Sequence, residues 1–334
     1  MTKGFWRNLP WPIVGLSPMD GVTDAPMRYI SKKYGQPDVI YTEFVSVEGL
    51  WRIEKRGETT HKIWNELRFD LSEKPIVAQL FGSDPDSFYN ATKIVAKMGF
   101  DGIDINMGCP SPGLEKRGGG AGLMRDHGLA HGVIEAVRKG VADMNMEIPV
   151  SVKTRIGSIG PDREWWKALA REELPVVAMH GRTFKQLYSG EADWEVLREA
   201  SKIIKESGAM FLGNGDVKKI LIDNKVKLTN ERIVDFGSDF DGVLIGRKAI
   251  GNPWVMRKDG YEPDITEKLK VVVEHAREFE KNLPGNKFEI MRKHLTWYAH
   301  GFEGAGGLRR KLVVSNSADE VMVIIDNFLD IAVN

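Results

Sequence analysis

Two rhythms of apolar and polar positions interleave along the chain. Short β-branched runs, each stopped by glycine, proline or a polar residue, recur at Ile13 to Leu16, Val39 to Thr42, Ile76 to Phe81, Gly102 to Ile105, Val150 to Lys153, Val176 to Met179, Met210 to Gly213 and Gly242 to Ile245. Longer amphipathic stretches lie between them, such as Asp84 to Met98, opened by an Asp-Pro cap signal, Gly128 to Met144, Asp162 to Glu172 and Asp193 to Ser207. Strand-helix units repeated in this way over about 250 residues predict an α/β chain folded as a TIM (β/α)8 barrel. A doubly wound sheet would have fewer strands and a glycine fingerprint at its first turn, which Ser17-Pro18-Met19-Asp20-Gly21 lacks.

Beyond Trp254 the strand signal ends. Helices are expected at Thr266 to Lys281, Phe288 to Tyr298, Leu308 to Val314 and Ala318 to Ile331, separated by Pro284-Gly285 and by a glycine-rich break at Gly301 to Gly307. The chain therefore divides into a catalytic barrel, residues 1–254, and a smaller all-helical domain, residues 255–334. Leu221 to Phe240 is long and charged for a connection before the last strand and reads as a solvated surface insertion.

Chemistry-bearing side chains gather where a barrel wants them, at the C-terminal ends of strands. Glu43 is expected to close the second strand, Gln79 the third, Asn106 and Cys109 the fourth, Lys153 and Arg155 the fifth, and His180 with Arg182 the sixth. Asn214-Gly215-Asp216 and Gly246-Arg247 close the last two, where glycines and a permanent planar cation suit a phosphate group. Cys109 is the only cysteine of the chain, so no internal disulfide forms and a reducing, cytoplasmic setting is expected. Its thiol is either an inert small hydrophobe or the reason the residue is there. Lys153 needs either an electron-rich ligand or a structural ion pair with Glu43, Asp104 or Asp216. The run Gly118 to Gly122 follows no strand and reads as a mobile loop.

Charge narrows the picture little, because 47 basic and 47 acidic residues cancel. Any nucleic-acid contact must rest on a local patch, and one candidate is Asn286 to Lys311, where basic residues interleave with Trp297, Tyr298 and Phe302. The N-terminal apolar run is broken by Pro10, Pro12 and Gly15, and no stretch approaches a membrane span. No metal-ligand spacing stands out. A metal-free, membrane-independent monomer is the expectation.

Taken in order, Ser17-Pro18-Met19-Asp20-Gly21-Val22-Thr23-Asp24 with Arg28, Ala78-Gln79-Leu80, Asn106-Met107-Gly108-Cys109-Pro110, Val152-Lys153-Thr154-Arg155, His180-Gly181-Arg182-Thr183, Gln186-Leu187-Tyr188-Ser189-Gly190, Asn214-Gly215-Asp216 and Gly246-Arg247 resemble the motifs of the tRNA-dihydrouridine synthases. The resemblance resumes at His294-Leu295-Thr296-Trp297-Tyr298 and Leu308-Arg309. It implies an FMN enzyme, with NADPH as electron source, that reduces the C5=C6 bond of uridine in tRNA to 5,6-dihydrouridine. Hydride would pass from flavin N5 to C6 and a proton from Cys109 to C5.

By the same resemblance Pro18, Met19 and Asp20 would lie against the flavin, Gln79 and Lys153 would bond its pyrimidine edge, and His180 would contact it. Asn214, Gly215 and Asp216 with Gly246 and Arg247 would hold its phosphate. Asn106, Arg155 and Arg182 would position the uracil, and Lys116, Arg117, Arg292, Lys293 and Arg309 would meet the RNA. The base must leave its stack to reach a barrel mouth, at a cost of a few kcal/mol. Ser17 and Asp20 depart from the smaller residues frequent in the family, and Asp20 is expected to point away or to cap the following helix. Two other readings stand beside this one: a same-fold flavin reductase of a small molecule, and a non-catalytic RNA-binding or chaperone protein.

Overall fold

The computed structural model describes residues 3–333. Eleven strands are present: β1 (Ile13–Leu16), β2 (Val39–Ser46), β3 (Ile76–Phe81), β4 (Gly102–Met107), β5 (Val150–Arg155), β6 (Val176–His180), β7 (Met210–Asn214), β8 (Val217–Leu221), β9 (Lys225–Leu228), β10 (Ile233–Asp235) and β11 (Gly242–Ile245). Eight of them close a parallel barrel in the order β1-β11-β7-β6-β5-β4-β3-β2. The predicted barrel is the observed one, and the seam is β1 on β11, with Leu16 opposite Ile245.

Four crossover helices start where an aspartate can accept a backbone N–H that the helix leaves unpaired. Asp84 caps Pro85–Lys97, Asp126 caps His127–Ala142, Asp162 caps Arg163–Arg171 and Asp193 caps Trp194–Lys205. Strands β4 to β7 run one or two residues past the apolar runs that predict them, because Asn106, Met107, Thr154, Arg155, His180 and Asn214 still pair in the ladder. Glu43 does not close β2. That strand continues to Ser46 through an irregularity between Tyr41 and Phe44, where Glu43 sits.

Two expectations are overturned. Leu221 to Phe240 is not a solvated loop: β8, β9 and β10 form an antiparallel sheet whose Ile220, Val226, Leu228 and Val234, with Phe236 and Phe240 just beyond it, are buried in the barrel's core cluster. Lys225-Val226-Lys227-Leu228 carries the period-two alternation of a half-buried strand beneath its charge. The glycine-rich stretch from 301 to 307 is likewise not a pure break, since Gly306 and Gly307 lie inside the helix Ala305–Leu312. Gly304, at φ 79, is the residue that turns the chain into it.

The C-terminal helices Ile265–Asn282, Arg292–Tyr298, Ala305–Leu312 and Ala318–Val333 bury a core of their own around Leu269, Val272, Phe279, Leu295, Leu312 and Val321. Ile30, from the first barrel helix Ala25–Ile30, and Trp254 belong to that core, so the helical part grips the barrel across the position where the sequence divides them. Among the described residues no helix is long and apolar enough to cross a membrane.

Beneath this junction the wholly buried Arg28 guanidinium meets Glu73 at 2.7 Å and donates to the carbonyls of Thr23 and Arg68. Glu73 in turn accepts the N–H of Asp70. Glu73→Ala strands a buried cation and is expected to cost about 3–5 kcal/mol in urea unfolding, with much of that recovered in a Glu73→Met/Arg28→Met double variant.

Candidate active site

The C-terminal mouth of the barrel opens into a cavity of about 960 Å³. Every residue predicted to face the flavin lines it: Pro18, Met19, Asp20, Gln79, Lys153, His180, Asn214, Gly215, Asp216, Gly246 and Arg247. So do Cys109, Asn106, Arg155 and Arg182. Closure of the barrel brings these strand ends together from opposite parts of the chain.

Lys153 makes none of the ion pairs open to it. None of its three possible partners pairs with it: Asp104 accepts hydrogen bonds from Gln79 and Ser151, Glu43 accepts the N–H of Gly21, and Asp216 holds two arginines. Burial, with Arg155 adding repulsion, lowers the ammonium to about 8. His180 is buried and held well below its usual range by desolvation and by the surrounding cations, so it is a neutral imidazole, and its Nδ1 has no partner in the protein. A buried Arg182 Nη1 is also unpartnered.

Cys109 is half-buried, and its backbone N–H donates to Asn106 Oδ1 at 2.8 Å. Burial pushes the thiol up, and Asp20 adds to the shift, so the group carries its proton at neutral pH. The glycines behind it do not form an open, swinging loop. Gly120 to Arg125 is a 3-10 turn, and a Cβ on Gly119, Gly120 or Gly122 would press on the carbonyl oxygens of Gly82, Cys109 or Glu115 at 2.7, 3.1 and 2.9 Å. Close approach of backbone to backbone is what requires glycine here.

Other assignments shift in detail. Asp216 takes up two guanidiniums, from Arg182 at 2.6 Å and Arg247 at 3.2 Å, and the N–H of Ala192, so its carboxylate anchors cations instead of facing an anion. Arg182 thereby sits at that end of the cavity, also donating to Ser189 and Gly190 carbonyls. Arg155 braces the Cys109 turn by donating to Gly108 O, and it reaches Thr183 and Leu187 carbonyls across the mouth. Asp20 lines the mouth without capping, since Asp24 caps the helix Ala25–Ile30 by accepting the Met27 N–H.

Tyr188 is a cavity-wall residue that the strand and helix rhythm does not mark. It sits on a loop, without periodicity to mark it, and stands between the guanidiniums of Arg155 and Arg247, with ring distances of 5.8 and 5.1 Å. Thr229, from the connection between β9 and β10, also lines the cavity.

The residues expected to meet RNA are dispersed. Lys116 and Arg117 are exposed and do not line the cavity. Arg292 is tied to Ser315 O and Asn316 Oδ1, and Lys293 bonds Gly21 O across the junction. Arg309 lines a second cleft, of about 740 Å³, with Lys218, Lys219, Lys248, Arg257 and Lys268 and the rings of Tyr261 and Trp297. This cleft shares Arg247, Lys248 and Ile250 with the first. His131, Glu135 and Glu172 make the one ligand-like grouping found for a metal among the described residues, and none of them lines either cavity.

The family model for dihydrouridine synthase matches residues 15–333. A "Probable tRNA-dihydrouridine synthase" of Staphylococcus aureus is 33% identical over 335 residues, spanning 98% of this chain and 96% of its own. A "Probable tRNA-dihydrouridine synthase 2" of Bacillus subtilis is 32% identical, spanning 98% and 97%. Among solved structures, an old yellow enzyme homologue from Zymomonas mobilis aligns over 72% of this chain and 85% of its own at 16% identity and a TM-score of 0.41, too loosely to speak to chemistry. Matched along nearly its whole length, with the family's motifs brought to one barrel mouth, the chain belongs to the dihydrouridine synthase family of enzymes.

Proposed function

We propose that this protein reduces specific uridines of tRNA to 5,6-dihydrouridine, using FMN in the barrel mouth and NADPH as the electron source. The observation that carries the reading is the placing in one cavity of a protonated lone thiol, Cys109 in the turn after β4, and a half-buried cation without an ion-pair partner, Lys153 on the adjacent β5. The cavity fits FMN on its own chemistry. Lys153 lacks an electron-rich partner, His180 Nδ1 lacks any, and Arg247 with the Gly215 and Gly246 backbone offers donors for a phosphate. Gln79 keeps one amide N–H beyond the bond it gives Asp104.

Bound FMN would supply the hydride delivered to uracil C6. Cys109 would hold the proton for C5, quenching the charge that develops towards C5 and O4, and its raised pKa keeps that proton in place until needed. Lys153 would stabilise negative charge on the cofactor's pyrimidine edge. Tyr188, Arg155 and Asn106 would orient the base, and the cationic second cleft with Tyr261 and Trp297 would take the flanking RNA strand.

Purified protein is expected to be yellow and to form dihydrouridine in unmodified tRNA with NADPH, read by mass spectrometry. A yellow protein that consumes NADPH and leaves tRNA unchanged would point to a small-molecule substrate, and a colourless one that takes up no FMN would remove the enzymatic reading. Cys109→Ala should keep FMN and lose about 10²–10⁴ in the rate of tRNA reduction.

Lys153 gives a pH signature. Its folded pKa is depressed, so its contribution to stability is present above the unfolded value near 10.5 and is lost as pH falls through about 8. Lys153→Met should therefore raise the Tm of FMN-free protein at pH 7 and change it little above pH 10.5. In wild type, FMN affinity should fall as pH rises through about 8, and the variant should lose that dependence. Lys248→Ala and Lys268→Ala should each weaken tRNA binding and lower the salt slope by about one unit or less, with FMN binding retained by Lys268→Ala.

A further inference from the structure

Asp104 is wholly buried at the centre of β4, charged by type and outside every role described above. Its Oδ1 accepts the Ser151 hydroxyl at 2.6 Å and its Oδ2 accepts Gln79 Nε2 at 2.7 Å. Gln79 Oε1 then accepts Asn106 Nδ2 at 2.9 Å. Asn106 Oδ1 accepts the backbone N–H groups of Gly108 and Cys109 at 3.1 and 2.8 Å. Four side chains on three neighbouring strands thus make one continuous chain of hydrogen bonds ending on the Cys109 turn.

We propose that Asp104 is the positioning residue of this site: its carboxylate sets the direction of the Gln79 and Asn106 amides and so clamps the Cys109 turn. An amide side chain is ambiguous, since either end can face a neighbour, whereas a carboxylate can only accept. With Asp104 in place, Gln79 must turn its NH2 towards β4's carboxylate and its oxygen towards Asn106. Asn106 must then turn its NH2 towards Gln79 and its oxygen towards the two N–H groups. Reversing both amides would set donor against donor at the Cys109 turn and acceptor against acceptor at Asp104, and reversing one alone would set like against like at the bond they share, on the buried Gln79 and Asn106 side chains.

Burial makes the arrangement expensive, and it is retained even so. Desolvation raises Asp104 to about 6, against the lowering effect of its two hydrogen bonds and of the Lys153 charge. The Lys153 ammonium and the Tyr41 hydroxyl feel that charge, yet neither is bonded to its oxygens. Tyr41 is left with a buried, unpartnered hydroxyl while both Asp104 oxygens serve Ser151 and Gln79.

The inference deepens the tRNA-reductase reading, and its first test depends on neither FMN nor tRNA. Cys109 is the only thiol, so alkylation of FMN-free protein by iodoacetamide at pH 8 reports on that turn alone. Asp104→Leu and Gln79→Leu, each checked for intact folding by circular dichroism and melting, should speed alkylation about tenfold, the weight of one clamping hydrogen bond. Asp104→Asn should stay at the wild-type rate, because its oxygen can still accept from Gln79 while its NH2 donates to Ser151 Oγ.

In the tRNA assay the two leucine variants should lower kcat and leave the KM for tRNA near wild type. Wild-type alkylation in both leucine variants, or Asp104→Asn alkylating as fast as Asp104→Leu, overturns the proposal. If Asp104→Leu does not fold, Gln79→Leu decides alone. Should wild-type protein leave tRNA unreduced while the alkylation pattern holds, the functional reading falls and the positioning role of Asp104 stands.

Discussion

A closed parallel barrel takes many polar groups at or near its C-terminal strand ends out of bulk water, Asp104, Gln79, Asn106, His180 and Arg182 among them. Each such group must find a partner inside the protein or leave an orphan that a ligand can satisfy. Asp104, Ser151, Gln79 and Asn106 satisfy one another, and Asp216 satisfies Arg182 and Arg247. Of the buried cavity-lining atoms, His180 Nδ1 and one nitrogen of Arg182 are left over, on β6 and the turn after it, and the half-buried Lys153 on β5 pairs with none of the nearby acids. The same constraint that organises the rim therefore marks where a ligand is missing hydrogen-bond partners to meet.

Much of the barrel was legible because its strands are buried on both faces and read as unbroken apolar runs, while the aspartate caps announce the crossovers. The errors come from residues whose identity and environment pull apart. Lys225-Val226-Lys227-Leu228 looks solvated by charge and is a half-buried strand by alternation. Glu43 looks like a strand terminator and sits at a mid-strand irregularity. Gly306 and Gly307 look like breakers and ride inside a short helix whose neighbours Leu308 and Leu312 are fixed in the helical core. Packing overrode local propensity in each case.

At the site, the positions were legible and the partnerships were not. Order along the chain and strand-end placement were enough to gather Gln79, Asn106, Cys109, Lys153, His180 and Arg247 at one mouth. Which atom faces which depends on register between strands, and register brings Asp104 beside both Gln79 and Ser151. Nothing in the spacing of Gly102-Ile103-Asp104-Ile105 separates a hydrogen-bonded aspartate from a salt-bridged one. Asp216 misleads in the same way: it follows two residues suited to a phosphate, and only the two guanidiniums against it disclose that it collects cations.

The C-terminal helical region is joined to the mouth by polar links as well as by its core. Lys293 bonds Gly21 O, and Gly21 N–H in turn donates to Glu43 at 2.5 Å, so the turn bearing Met19 and Asp20 is held from both sides. Lys33 and Tyr34 share Glu274, fixing the helix Ile265–Asn282 to the barrel. The second cleft lies between these two bodies and draws lining from both, Lys248 and Trp254 from one and Lys268, Trp297 and Arg309 from the other. A strand bound there would meet cations whose spacing is set by the same junction that positions the first wall of the cavity. Under the proposed function, recognition outside the mouth and chemistry inside it would thus be coupled through the turn at Gly21, and a change in the packing of Ile30 or Trp254 would disturb both at once.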